Sequence, residues 1–166
     1  MSIGTNELTI KMVISAWESY FQRVNKLFEN LTDDQLQKQV APGRNTGTYL
    51  LGHLTAVTDG MLPLLGFGEK LYPELDKIFL ESPDASGHKM PSLAELRNYW
   101  KTVNDKLSES IKSMKPEEWF TRHSAVSAED FEKEPHRNKL NIIINRTNHQ
   151  SWHYGQLLFL QPQGAE

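Results

Sequence analysis

From Leu8 onward, Met12, Val13, Ala16, Trp17, Tyr20, Phe21, Val24, Leu27, Phe28 and Leu31 recur at three- and four-residue spacing, with Glu, Gln, Arg and Lys between them. That spacing puts the apolar side chains on one face of an amphipathic helix. Thr32 followed by Gln35 is a capping-box pattern, which predicts a short helical turn over Asp33 to Lys38 before the breaker Pro42-Gly43. Asn45 or Thr46 can cap the next helix, which carries Tyr49, Leu50, His53, Leu54, Val57 and Met61. Pro63 and Gly66-Phe67-Gly68 predict its end near Leu62. Pro63 to Pro91, broken by Pro73, Pro83 and Gly87, reads as a long crossover connection with a short helix around Glu74 to Leu80.

A third long helix opens at a second capping box, Ser92-Leu93-Ala94-Glu95, and its pattern buries Leu96, Tyr99, Trp100, Val103, Leu107 and Ile111. Lys115-Pro116-Glu117-Glu118-Trp119 then has proline at a first helical position and acids in the first turn. A polar stretch from Thr121 to Asn138 precedes a fourth helix from about Lys139 to Phe159. A weak internal repeat pairs Leu31-Thr32-Asp33-Asp34-Gln35-Leu36 with Met114-Lys115-Pro116-Glu117-Glu118-Trp119, each lying between a long helix and a His-bearing one. Four long helices without alternating strand runs predict an all-α protein, a four-helix bundle with long crossover connections.

Length and charge narrow the function. The 166 residues suit one domain, 1–166, with a core of its own. Eighteen basic and 21 acidic residues give a net charge of −3, which offers no field for nucleic acid or an anionic membrane. Cysteine is absent, which removes thiolate ligands and nucleophiles and leaves His, Asp and Glu to bind a metal. Met1 to Glu7 has no leader pattern and no run approaches ~18 apolar residues, so a cytoplasmic protein is expected. Trp17, Trp100, Trp119 and Trp152 are expected as core or interface anchors.

Against that background the histidines stand out. His149 and His153 are four apart, so on a helix they lie about 40° apart around the axis and one turn apart along it. The same projection places Ile142, Gln156 and Leu160 near the histidine face, which therefore looks into enclosed, mostly apolar space. A buried imidazole pair needs partners for four nitrogens, and the two rings resist charging together; a shared divalent ion resolves both. His53 becomes the third ligand if its helix faces the fourth. Three neutral imidazoles leave a coordination position for water or substrate and suit zinc or nickel, with iron and copper also compatible. Gln150 stands where the zincin motif has glutamate, so that helix supplies no equivalent general base. His88, His123 and His136 lie among loop residues and read as solvated.

Gly43-Arg44-Asn45-Thr46-Gly47-Thr48-Tyr49-Leu50-Leu51-Gly52-His53-Leu54 and Asn148-His149-Gln150-Ser151-Trp152-His153-Tyr154-Gly155-Gln156-Leu157 resemble the two signature helices of the DinB-like superfamily. The resemblance implies an up-down-down-up four-helix bundle with a metal held by three histidines, here His53, His149 and His153. Some relatives are thiol-dependent transferases or isomerases that use low-molecular-weight bacterial thiols. The polar stretch over 121–138 departs from a compact family core and is expected to cover or modify the site mouth.

Two functions follow as expectations. In the first, the chain is a metal-dependent enzyme of thiol-transferase or hydrolase type acting on a small molecule, with Tyr49 and Gln156 as candidates for contacts behind the ligands or to substrate. In the second, it is a non-catalytic bundle with a structural metal, engaged in self-association as a homodimer or in partner binding. The second rests on Leu140, Ile143, Thr147, Tyr154 and Leu158, a largely apolar stripe facing away from the histidines that core packing also explains.

Overall fold

A computed structural model describes residues 4–162, so the first three residues of the N-terminal stretch and the last four of the 1–166 span lie outside the described residues. Helix α1 (Thr5–Asn30) carries the first amphipathic stripe and ends at extended Leu31. Helix α2 (Asp33–Leu36) forms the short turn; the Thr32 side chain accepts from Gln35 N, and Gln35 Oε1 accepts from Thr32 N. Helix α3 (Gly47–Asp59) starts at Thr46, whose Oγ1 accepts from Tyr49 N at 3.1 Å. Asp84 holds that cap from the crossover, accepting from Thr46 N at 2.6 Å and Thr46 Oγ1 at 2.8 Å.

The chain does not stop at Pro63. Helix α3 ends at Asp59, and a new helix, α4 (Met61–Leu65), contains the proline. Pro63 is the third residue of α4, where an amide N–H has no acceptor inside the helix, so the missing donor costs nothing there. Gly66, at φ 82°, provides the left-handed stop.

Helix α5 (Leu75–Phe79) is the short element expected in the crossover. Buried Asp59 fixes the approach to it by accepting from Leu71 N and Tyr72 N, both at 2.8 Å. Helix α6 (Leu93–Ser113) begins with the Ser92–Glu95 capping box. A 3-10 turn over Pro116–Phe120 follows, with Pro116 opening it.

The polar stretch over 121–138 contains helix α7 (Ala128–Lys133), capped by Ser127, and buries Val126. Its ends are fixed by Ser124 N donating to Leu64 O and Lys139 N to Thr121 O. Helix α8 (Lys139–Leu157) ends two residues before the expected Phe159, giving way to a 3-10 turn over Leu158–Leu160. Leu160 lies in that turn and still meets α3, the helix that carries His53. It packs beside Gly47, where its Cδ1 lies 2.6 Å from the position a Cβ would occupy.

The protein is all-helical, with no strand among the described residues. Two apolar clusters stack along the long helices. One joins Val24, Leu27 and Phe28 of α1 with Leu50 and Leu54 of α3, Leu96 and Trp100 of α6, and Leu157 of α8. The other joins Trp17 of α1 with Met61 and Leu65 of α4, Leu107 and Ile111 of α6, and Leu140 and Ile143 of α8. Each buried leucine contributes about 1.5–3 kcal/mol. Polar groups fix the register between helices: Arg97 of α6 donates to Leu31 O at 2.8 Å and to Phe28 O, and Trp100 Nε1 donates to Asn25 Oδ1 at 3.1 Å.

Trp17, Trp100 and Trp119 are buried, as anchors should be, but Trp152 is 65% exposed. Its place on α8, between His149 and His153, points it out of the bundle. Leu140, Ile143 and Thr147 of the second α8 stripe are buried, whereas Leu158 is 39% exposed. Gln150, also on the inner side, is 2% exposed, and neither its amide nitrogen nor its oxygen has a hydrogen-bond partner.

Candidate metal centre

His53 from α3 and His149 and His153 from α8 converge. His149 Nε2 lies 3.2 Å from His53 Nε2 and 3.1 Å from His153 Nε2, and the ligand atoms of all three lie within 4.8 Å of one another. Three ligands about 2.0–2.1 Å from a tetrahedral zinc are about 3.3 Å apart, which the two separations from His149 match, with the His53–His153 pair inside 4.8 Å. His153 is buried and the other two are partly exposed.

The opposite ring nitrogens fix two of the protonation states. His53 Nδ1 lies 2.8 Å from Phe79 O. A carbonyl only accepts, so that nitrogen carries the proton and Nε2 presents a lone pair. Gln156 Oε1 does the same for His153 Nδ1 at 2.8 Å. Two lone pairs thus face the His149 ring, which has one proton when neutral. Nδ1 of His149 is buried without a partner. With its proton on Nδ1, His149 would bring a third lone pair into the cluster; with it on Nε2, a bare buried acceptor remains. A divalent cation fits this donor set, because all three Nε2 lone pairs then have a partner.

The electrostatics keep the rings neutral, as ligation requires. Burial is the main cause of the His149 shift, which pushes its pKa down to about 4, and the charges of His153, His53 and Arg146 act in the same direction. Burial also lowers His53 against its bond to Phe79, with Arg146 adding to the lowering. His153 is lowered by burial, which its bond to Gln156 opposes, and by His53.

These shifts predict a pH dependence of folding for the metal-free protein. Unfolded histidine titrates near pH ~6.5, so between there and about 4 the unfolded chain binds more protons than the folded one at His149. Unfolding free energy therefore rises with pH across that window: the contribution is complete above ~6.5 and is lost as pH falls toward 4. The denaturant midpoint should be level at pH 7–8 and decline below ~6.5, less steeply in His149→Gln. Equal slopes in the two proteins would contradict the assignment.

Tyr49 and Gln156 take different positions. The Tyr49 ring stacks beside His53, with centroids 6.2 Å apart, but its buried hydroxyl donates to Ser82 O at 2.7 Å and lies 3.2 Å from Phe79 O. It braces the segment that holds His53. Gln156 orients His153 directly. Gln156→Leu should weaken metal affinity about 10–100-fold without unfolding the protein, measured by competition with a chromophoric chelator; an unchanged affinity would reduce Gln156 to packing.

Phe79 and Arg146 escaped the reading of the sequence. Phe79 contributes through its carbonyl, which has no residue signature. On the helical projection Arg146 lies about 20° from His153 and 40° from Ile142, so the same geometry would have found it.

A hollow of about 260 Å³ borders His153 and Gln156, walled by Val40, Arg44, Asn45 and Trp152. A larger one, about 390 Å³, lies between α1 and α6 and contains none of the three histidines. The ends of the 121–138 stretch are fixed at Leu64 and the start of α8, about 15 Å along the helix from His149.

Fold and site together define an all-helical protein with a three-histidine centre capable of holding a metal. The sequence profile of the DinB superfamily matches residues 16–157, and the chain belongs to that superfamily. A comparison with curated proteins finds no match. No helix among the described residues is long and apolar enough to cross a membrane.

Proposed function

We propose that this protein is a metal-dependent enzyme of thiol-transferase or hydrolase type, built on an up-down-down-up four-helix bundle. The observation that carries the reading is the meeting of three neutral imidazoles with no carboxylate in the ligand group among the described residues. Three protein ligands suit an open, reactive site, where a structural zinc usually has four. The bundle order is supported by the ends that meet: Arg97 early in α6 reaches the end of α1, whereas Trp17 of α1 shares a cluster with Leu140 early in α8. Gly47 at the start of α3 packs against Leu160 just beyond α8.

The ion, zinc or nickel by ligand chemistry and iron less so, would lower the pKa of a thiol or water brought to it. His53, His149 and His153 would hold it. Phe79 O and Gln156 Oε1 fix the ring orientations of His53 and His153.

The test uses protein purified without a metal-affinity tag, reloaded with zinc or nickel, and supplied with a low-molecular-weight thiol and 1-chloro-2,4-dinitrobenzene. Sulfur attacks the aryl carbon, chloride leaves and the thiol proton passes to solvent. The expected result is a rate above that of thiol alone, lost to a chelator and restored by metal. Fully loaded protein with no such rate and no ester hydrolysis would favour a structural metal. That alternative, self-association, has one observation behind it: Trp152, Leu158 and Phe159 are exposed near the end of α8. A dimer mass in dilute solution would support it.

A further inference from the structure

Arg146 has no assigned task. It lies on α8 at i, with His149 at i+3 and His153 at i+7, so the three positions share one face within about 60°. The guanidinium is partly buried and its Nε is sealed from solvent without a hydrogen-bond partner. Among the described residues, no hydrogen bond or ion pair engages it.

Three other arginines are used structurally, and Arg44 lines the hollow beside His153 and Gln156. Arg97 binds the end of α1, Arg122 donates to Val126 O and Arg137 pairs with Glu134. An unpaired, half-buried guanidinium is costly, and burial is the one cause acting on its pKa, which it lowers. Its charge also reaches the triad, where it lowers His53 and His149. The ligand group contains no carboxylate, so a divalent ion there would add to a positive field that the triad does not neutralise.

We propose that Arg146 is the anion-binding residue of the three-histidine site and that the substrate carries a carboxylate about one helical turn, ~5 Å, from the atom that enters the centre. This rests on the metal-site reading above and adds the substrate's charge and spacing. The planar fork of the guanidinium matches a carboxylate's two oxygens, and binding one would pair a cation that the fold leaves unmatched.

The test uses the full chain loaded with cobalt(II) and two probes of equal length, 3-mercaptopropionate and 3-mercapto-1-propanol, followed by thiolate-to-cobalt absorption. On binding, each thiol releases its proton to buffer. The wild-type protein should bind the carboxylate probe about tenfold or more tightly than the alcohol. In Arg146→Gln that preference should fall to about twofold or less, with affinity for the alcohol and cobalt stoichiometry unchanged, while Arg146→Lys keeps part of it. Cobalt stoichiometry and absorption report that each variant is folded. Equal preference in wild type and Arg146→Gln, or none in wild type, overturns the proposal alone. Absence of cobalt binding, or cobalt without any thiol signal, overturns the thiol-binding metal site and this proposal with it.

Discussion

His149→Ala is expected to abolish stoichiometric binding of a divalent ion while leaving the metal-free protein folded. His149 is the ring whose Nε2 lies within 3.2 Å of both other Nε2 atoms, so its removal leaves two nitrogens that no longer enclose a site. Four-ligand zinc sites bind with about 10–16 kcal/mol, so one ligand is worth on the order of 3 kcal/mol, or ~100-fold in affinity. Stability should respond in the other direction. Without metal, His149 has a buried Nδ1 with no partner and a pKa pushed down to about 4, so truncating it removes an unmet polar group as well as some packing. Metal analysis and a denaturant titration read the two effects separately. Stoichiometric metal retained by the variant would sink the three-histidine assignment.

Gly52→Ala should damage both the fold and the site. A Cβ there would lie 2.3 Å from Cε1 and Cζ of Phe79, and that ring is fully buried, with no room to swing aside. Overpacking of this kind costs about 1–3 kcal/mol and occasionally more. The displaced residue is the one whose carbonyl holds His53 Nδ1 at 2.8 Å, so the strain is delivered to a ligand. The expected result is a lower denaturant midpoint together with metal affinity reduced about 10-fold or more. A compensating Phe79→Leu, which vacates the space, should recover part of both losses. If Gly52→Ala matched wild type in stability, the close packing of α3 on α5 would be disproved.

Much of this architecture can be read from side-chain patterns, and the exceptions share a cause. The stripe of α1, the capping boxes at Thr32 and Ser92, and the cap at Thr46 are local: each depends on residues within one or two turns, which a linear pattern records. His149 and His153 belong to that class as well. The break between α3 and α4 does not, because whether Pro63 ends a helix or sits in the first turn of a new one depends on where the chain restarts. The end of α8 is a similar case: the helix gives way to a 3-10 turn at Leu158, two residues before the expected Phe159. Trp152 shows the limit of composition, since a large aromatic suggests burial while its place between two inward histidines forces it outward. The joining of His53 to the α8 pair is a tertiary fact. Periodicity supplied the face of each helix, and the resemblance to known signature helices supplied their pairing.

The bond from His53 to Phe79 O has a consequence for how this site would register in a mutational scan. Every residue at position 79 brings a carbonyl, so side-chain replacement can expose Gln156 as the orienting partner of His153 and still pass over the equivalent partner of His53. Variants at 79 would report the fit of a ring against Gly52, and the loss of metal that followed would be credited to packing. Exposing the hidden contact requires editing the main chain itself. An ester in place of the amide between Phe79 and Leu80 weakens that acceptor and leaves every side chain unchanged. A control for the Leu80 N–H it removes, which donates to Asp76 O at 2.9 Å, is Leu80→Pro.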